Sequence, residues 1–223
     1  MHMALQFAGR GFVEEGEGPS GPDGSRFEGR FVVYGIAAAD GPVFGDDVSL
    51  LADDGSHGRE VRLPSAAHFT AIRSGTTTEH LTTSDDTFEG LQIMKHSSST
   101  RLRIYFDAEP DGTRDFRDRE SFRRGQLIAT YKADEITQVA PRAGVFDTRV
   151  NCRLLESTPF TFGGRIVDFA DLAPSMVEIS HGHAPEALAS PISIPHHEAP
   201  FDNDGPGVFG RQFAVGGMML VAS

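Results

Sequence analysis

The sequence is poor in several residue types that would point to a particular class of protein. It contains no tryptophan and a single cysteine in 223 residues, which excludes an internal disulfide. Lysine and arginine number 20 against 32 acidic residues, and no basic stripe offsets the net charge of −12. Because such a chain repels phosphate backbones, we do not expect a nucleic acid as a partner.

Long apolar runs are also missing from the sequence. It has no stretch of the roughly 18 apolar residues that a membrane-spanning helix needs, and no basic start followed by an apolar core, as in a secretory signal. We therefore expect a cytoplasmic protein with no membrane partner. Cys152 alternates with Val150 and Leu154, a pattern that indicates a small core residue in a strand rather than a nucleophile.

Phenylalanine and short strand-forming segments are abundant. The 17 phenylalanines supply apolar area with no polar group that must find a partner, which favours a dry interior. Alternating or apolar segments recur at short spacing and are separated by Gly, Pro and Asp turns. The pattern predicts strands over 4–13, 30–36, 59–63, 68–73, 77–83, 88–95, 101–107, 126–131, 147–155, 161–169 and 175–181, with a closing pair between 208 and 221.

One strand-forming segment occurs in two similar copies along the chain. Residues 27–34, FEGRFVVY, match residues 122–131, FRRGQLIATY, and this match aligns Tyr34 with Tyr131. A Thr-Phe-x-Gly element follows each copy, at 87–90 and 161–164. The match predicts a duplicated antiparallel β unit, and such units tend to close into barrels or sandwiches.

The chain is interpreted as a single β domain over 1–223. The repeat divides it into two similar halves, 4–110 and 120–223, with a short helix near 115–124 between them. We predict an all-β fold, mainly antiparallel and closed into a barrel, with a β-sandwich as the alternative. The strand pattern is similar to that of lipocalins and other calycin barrels, which implies a pocket inside the barrel.

Two predicted strands carry arginines on one face and apolar residues on the other. Arg103 and Tyr105 share a face of one strand, and Asn151 and Arg153 share a face of the other. These faces either pair with surface carboxylates in solvent or line a polar lumen, where an arginine binds a carboxylate, enolate or carbonyl oxygen of a ligand.

Tyrosine and histidine supply further candidates. Tyr34 and Tyr131 are either core residues or point into the lumen, where a hydroxyl polarises a carbonyl or relays a proton. We therefore select Tyr34, Tyr131, Arg103 and Arg153 as candidate catalytic residues. Tyr105, Asn151 and His68, which belongs to a polar set on neighbouring strands, are the candidate ligand-binding residues.

A second group of candidates is the segment from Ser180 to Glu186. Residues two apart on a strand face the same way, so His181 and His183 are able to present two imidazoles to one transition metal. Glu186, or a histidine of the second cluster at 195–198, would be the third ligand. This resembles the opening of a cupin metal motif, although the spacing of the Glu and the missing second motif depart from that family. A His- and Pro-rich surface loop is the other interpretation.

The predicted function is the binding of a small, largely apolar molecule in a barrel pocket. Placed polar groups in such a pocket would support cofactor-independent isomerisation, cyclisation or hydration. The alternatives are a metal-dependent, cupin-like enzyme that uses His181 and His183, and a non-catalytic binding protein. Association into oligomers is left open.

Overall fold

The computed structural model describes residues 2–14, 26–38, 41–45, 48–52, 64–82, 92–96, 98–116, 118–140, 145–183 and 211–221. Alternation of apolar and polar residues makes nearly all of these ranges extended, and the helical pieces α1 (Phe169–Leu172) and a 3₁₀ helix (Glu120–Arg123) are single turns. None of the described helices is long and apolar enough to cross a membrane. The strands are β1 (His2–Glu14), β2 (Arg26–Ala38), β3 (Gly41–Pro42), β4 (Phe69–Thr82), β5 (Gln92–His96), β6 (Arg101–Phe106), β7 (Gln126–Ala140), β8 (Val145–Ser157), β9 (Phe160–Phe162), β10 (Arg165–Val167), β11 (Ser175–His183) and β12 (Arg211–Val221).

The strands close into an antiparallel barrel. Each long strand pairs with its neighbours along the chain, and β12 pairs with β1 to complete the ring. β5 and β6 both lie between β4 and β7, run in the same direction and occupy one position in the wall. The barrel therefore has eight strand positions, and the predicted all-β barrel and its closure of the last strand against the first are confirmed.

Two local predictions differ from the structure, and some predicted strands lie outside the described residues. The predicted strands 68–73 and 77–83 are one strand, β4, because Ser74-Gly75-Thr76 stays extended while the partner changes from β6 to β5. The predicted strand 161–169 is instead a hairpin followed by α1, because Gly163 and Gly164 adopt positive φ and turn the chain. The predicted strands at 59–63 and 88–91, together with the closing segment 208–210, lie outside the described residues.

The predicted closing pair between 208 and 221 is also different. The described part, β12, is a single strand, and Gly216 and Gly217 lie within it without a bulge or turn. A Cβ on Gly217 would lie 2.4 Å from the carbonyl oxygen of Ile179, whereas the nearest atom to a Cβ on Gly216 is 3.9 Å away. Gly217 is thus required by the close approach of β11.

Aromatic rings fill one half of the barrel interior. Phe69 lies at the centre, with its ring centroid 5.1 Å from that of Phe106, 5.3 Å from that of Phe162 and 5.6 Å from that of Phe160. Phe44, from the turn after β3, adds a stacked ring at 5.7 Å. We call this the aromatic end of the barrel, and its packing agrees with the dry interior that the phenylalanine content predicts.

A second layer covers the outside of the wall at β2, β4 and β6. Val32 is buried on the outer face of β2, where Phe122 and Phe116 of the segment 107–125 pack over it in a small apolar cluster. Arg114 fastens this segment by donating from Nε to the carbonyl of Ser121 at 3.0 Å and from a terminal nitrogen to Asp107 at 2.9 Å. Coverage on both faces explains why β2 is apolar on both faces at this point.

The two proposed halves remain a prediction, and their aligned residues lie in different settings. Tyr34 is on the outer face of β2 and is 43% exposed, whereas Tyr131 is fully buried on the inner face of β7. Phe27 is part of β2, whereas the aligned Phe122 belongs to the 3₁₀ helix. That 3₁₀ helix lies inside the predicted 115–124 segment and comprises a single turn.

The neighbouring glycines of β12 provide a matched test of barrel packing. We expect Gly217→Ala to lower the free energy of unfolding by about 1–3 kcal/mol, because its methyl group would meet backbone atoms of β11 that cannot move independently. Gly216→Ala should change it by less than about 0.5 kcal/mol. Urea unfolding followed by circular dichroism measures both, and equal effects would contradict the assigned register.

Candidate functional site

Buried polar side chains form a belt inside the other half of the barrel. They project from the inner faces of β4, β5, β7, β8 and β11, and each residue is at most 8% exposed. Polar groups that are taken out of water need partners, so their contacts define what the belt is able to do. We call this set the polar belt; its members are Arg73, His96, Glu135, Thr137, Thr148, Glu178 and Ser180.

Arg73 is the centre of the polar belt. Its Nε lies 3.1 Å from Glu135 Oε2, and one terminal nitrogen donates a hydrogen bond to Glu178 Oε1. Ser180 Oγ donates to the same Glu178 oxygen at 2.9 Å. One guanidinium therefore connects β4 with carboxylates from two strands further round the wall.

The hydroxyl groups of the belt extend from Glu135 to β8. Thr137 Oγ1 donates to Glu135 Oε1 at 3.3 Å and lies 3.0 Å from Thr148 Oγ1. His96 Nε2 is 3.4 Å from Thr137 Oγ1 and 3.5 Å from Glu135 Oε1. A histidine, a carboxyl group and two hydroxyl groups thus form one connected path along which a proton can move.

Two phenylalanine rings border the polar belt. The ring centroids of Phe27 and His96 are 4.2 Å apart, and the Arg73 guanidinium lies over the Phe31 ring at 5.5 Å. A Cβ at Gly75 would lie 2.9 Å from Phe27 and 2.1 Å from Thr100 Oγ1, so this glycine makes the space that both side chains use. The belt is a polar site with apolar walls.

The charges of the polar belt do not balance if both carboxyl groups are ionised. Burial, and then the positive charge of Arg73, lowers the pKa of His96 to about 3, so its imidazole is neutral at pH 7. Burial raises the pKa of Glu135, although Arg73 and the Thr137 hydrogen bond oppose that shift. Burial disfavours the Arg73 charge, but Glu135 and Glu178 outweigh it and raise the pKa of its guanidinium.

Three buried oxygens of this region have no hydrogen-bond partner among the described residues, namely Glu135 Oε2, Glu178 Oε2 and Thr100 Oγ1. Glu135 Oε2 lies 3.1 Å from Arg73 Nε in an ion pair, and Glu178 Oε2 belongs to a side chain that is fully buried. Unsatisfied buried oxygens cost free energy, and they mark positions where a ligand or water can donate a hydrogen bond.

The structure places four of the sequence-derived candidates on the outer face. Arg103 is half-buried between the inward-pointing Leu102 and Ile104. Arg153 and Asn151 of β8 are exposed, and Tyr34 of β2 is 43% exposed. These side chains lie on different parts of the outer wall and are not brought together in the interior.

Tyr131 is the one candidate catalytic residue that lies inside the barrel. Its hydroxyl donates a hydrogen bond to the carbonyl oxygen of Ala173 at 2.8 Å. Burial raises the pKa of this hydroxyl far above its ordinary value. The contact joins β7 to the segment after α1, on the apolar side of the barrel.

The remaining ligand-binding candidates lie at the second layer. Tyr105 is 8% exposed in the outer cluster with Phe122, and burial raises its pKa. The His68 ring contacts the Phe162 ring at a centroid distance of 4.8 Å, and its Nδ1 lies 2.9 Å from the carbonyl oxygen of Asp107. Neither residue contacts the polar belt.

The predicted metal ligands are only partly covered by the structure. His181 lies on the outer face of β11, where its Nδ1 contacts the Asp147 carboxylate in an exposed pair. Glu186 and the side chain of His183 lie outside the described residues. Within the described part of the chain, no group of three or more His, Cys, Asp or Glu side chains is arranged to hold a metal ion.

An open groove of about 470 Å³ lies between the β3 turn and the segment from β10 to α1. Its polar groups already have structural roles: Arg165 donates to the carbonyl of Val43 at 2.8 Å, and Asp168 caps α1 by accepting from the Ala170 nitrogen at 2.8 Å. Because these polar groups of the groove are occupied within the fold, whereas Glu178 Oε2 has no hydrogen-bond partner among the described residues, we select the polar belt as the stronger candidate.

Sequence reasoning missed the polar belt, although a signal for it was present. Arg73 shares a strand face with Phe69 and Ala71, and Glu178 shares a face with Met176 and Ser180. An ionisable residue on the otherwise apolar face of a strand indicates a buried charge, which needs a partner from elsewhere in the fold.

A scan against protein-family models, a search of curated proteins and a search of solved structures each found no significant match to this chain.

The neutral His96 predicts a specific dependence of stability on pH. The unfolded chain takes up a proton near pH 6.5 and the folded protein only near pH 3, so stability is lost as the pH falls through this window. Between pH 7 and pH 5 we expect His96 to account for a loss of about 2 kcal/mol, which His96→Gln should remove.

Chemical denaturation of both proteins at the two pH values measures this difference. His181→Gln is the matched control, because the His181 side chain is 71% exposed, and it should keep the loss seen in the wild-type protein. An identical pH dependence in the wild-type and His96→Gln proteins would show that His96 is able to take up a proton in the folded state.

Proposed function

We propose that this barrel binds a small, largely apolar molecule through the polar belt, and that Glu135 acts as an acid or base in a cofactor-independent isomerisation, cyclisation or hydration. The observation that supports this most directly is the cluster of Arg73, Glu135 and Glu178 beside a neutral His96, all buried. Buried ionisable groups whose environments perturb their pKa values are typical of catalytic and binding sites.

Glu135 is the best candidate for proton transfer. A carboxyl group whose pKa is raised by burial keeps its proton to a higher pH than an ordinary carboxyl group, and it is able to give that proton to a bound molecule. His96 and Thr137 lie within 3.5 Å of Glu135 Oε1, so a second group is in place to pass the proton on. Arg73 is positioned to hold the carboxylate form after transfer.

The site lies beyond the aromatic end. The rings packed around Phe69 occupy that half of the interior, and the polar belt lies deeper along β4, toward the end where that strand pairs with β5. Phe27 and His96, each 8% exposed, are more exposed than Phe31 and than the other residues of the polar belt. A ligand that arrives at this end of the barrel would therefore meet an aromatic rim before the charged groups.

Binding is tested by nuclear magnetic resonance with a panel of small probes. The panel consists of octylamine, octanol, octanoate and methyl hexyl ketone, which share an apolar chain of similar size. We expect saturable shifts of backbone amides on β4, β5, β7 and β11 around the polar belt for at least one probe. Shifts confined to the open groove near Arg165 and Asp168, or no saturable shifts at all, would contradict the proposed site.

Acid–base chemistry is tested separately with the ketone. In D₂O, a base in the site exchanges the hydrogens next to the carbonyl of methyl hexyl ketone for deuterium. We expect Glu135→Gln to slow this exchange by about 10²-fold or more, the usual contribution of a general base. Glu156→Gln, on an exposed part of β8, removes the same charge and should leave the rate unchanged.

The two measurements separate the parts of the proposal. Saturable binding at the polar belt without exchange would leave a binding protein and remove the role of Glu135 in proton transfer. Exchange that persists in Glu135→Gln would assign the base to another residue.

A further inference from the structure

We propose that the polar belt selects a ligand whose polar end is a protonated amine rather than a carboxylate or a neutral hydroxyl group. This inference rests on the proposed binding site and names the chemical class of its ligand. Two structural facts support it: the excess of buried carboxyl groups over buried cations in the belt, and the positions of the buried atoms that lack a hydrogen-bond partner.

The buried charges of the belt favour a positively charged ligand. Glu135 and Glu178 provide two carboxyl groups, and Arg73 is the only charged partner that the structure gives either of them within the belt. When both carboxyl groups are ionised, the set carries one uncompensated negative charge, because His96 is neutral. A bound ammonium group would balance it, whereas a carboxylate would add a second negative charge in a buried site.

Most of the belt atoms that lack a hydrogen-bond partner among the described residues are acceptors, namely Glu135 Oε2 and Glu178 Oε2. Arg73 Nε also lacks a hydrogen bond but lies 3.1 Å from Glu135 Oε2 in an ion pair, and one terminal nitrogen of Arg73 donates to Glu178, so its charge is directed at these two carboxyl groups. Glu178 Oε2 has no hydrogen-bond partner among the described residues and lies in a side chain that is 0% exposed. An ammonium group has three N–H donors and no acceptor, which complements a free carboxylate oxygen.

The aromatic residues around the belt point to the same class. Phe27 borders His96, and Phe31 already has the Arg73 guanidinium over its ring at 5.5 Å. The faces of aromatic rings attract cations and repel anions. The same rings provide the apolar surface that the hydrocarbon part of an amine would contact.

The probe panel tests the head-group preference directly on the wild-type protein. Octylamine, octanol and octanoate have the same chain, and near pH 7 the amine is protonated and the acid ionised. We expect octylamine to bind at least about tenfold more tightly than octanol, the gain from making a hydrogen bond charge-assisted, and octanoate to bind most weakly. Octanol or octanoate binding as tightly as octylamine at the belt would overturn the proposal.

Glu178→Gln tests whether Glu178 causes the preference for an ammonium group. The amide keeps the size of the side chain but removes the charge, so the ratio of octylamine to octanol affinity should fall to within about twofold of unity. Glu156→Gln, exposed on β8, removes one charge elsewhere and should keep the wild-type ratio. A wild-type ratio in folded Glu178→Gln would overturn the assignment of Glu178.

Circular dichroism and unfolding curves establish that each variant is folded before its affinities are compared. If Glu178→Gln does not fold, Ser180→Ala is the second variant, because Ser180 Oγ donates to Glu178 and helps to orient it; an unchanged ratio there would count against the assignment. The outcomes also separate this inference from the proposed function. If no probe binds at the belt, the proposed binding site is wrong. If octanol or octanoate binds there more tightly than octylamine, the binding site stands and only the preference for an amine is wrong.

Discussion

The contacts of Arg73 with Glu135 and Glu178 join three strands across the interior of this barrel. β4 and β11 are not neighbours in the wall, yet the guanidinium of Arg73 reaches the carboxylate of Glu178 across the interior. An ion pair that crosses a barrel fixes the relative heights of distant strands, because a shift of either strand would separate two buried charges. The register of β4, β7 and β11 is therefore tied to a single side chain.

Glycine and phenylalanine fill the barrel interior around these ion pairs, because glycines leave space for neighbouring rings. A barrel of eight strands has room for side chains from only part of its wall at each level, so small and large residues must face one another. Gly29 illustrates this, because a Cβ there would lie 2.2 Å from the ring of Phe31. Gly75 leaves space in the same way for Phe27 and Thr100. The absence of tryptophan fits an interior whose aromatic rings are mostly phenylalanines, which contribute area but no polar group.

The sequence predicted the fold better than the site, and the residues show why. Alternation along a strand is a local signal. It allowed the sequence to predict most strands, the burial of Cys152 and the closure of the last strand on the first. The partners of a buried charge are not local, since Arg73 and Glu178 are 105 residues apart in the chain. Tyr34 and Tyr131 show the same limit, because similar sequences place one side chain outside the wall and the other inside it. A match between strands does not determine which face is buried, because a shift of one residue reverses the faces.

The energetics of buried ion pairs indicate that the polar belt does not serve the stability of the barrel alone. Well-packed apolar side chains of similar volume often stabilise an interior as much as a buried ion pair does, or more, because charges lose their hydration on burial. The aromatic end shows that this sequence fills a barrel interior with phenylalanine. At the other end it places two carboxyl groups, a guanidinium and a neutral imidazole within a few ångströms, and it leaves a carboxylate oxygen without a hydrogen-bond partner among the described residues. Such a set is costly for stability alone, whereas its free acceptor and its proton-holding carboxyl group suit the recognition of a polar group on a small molecule.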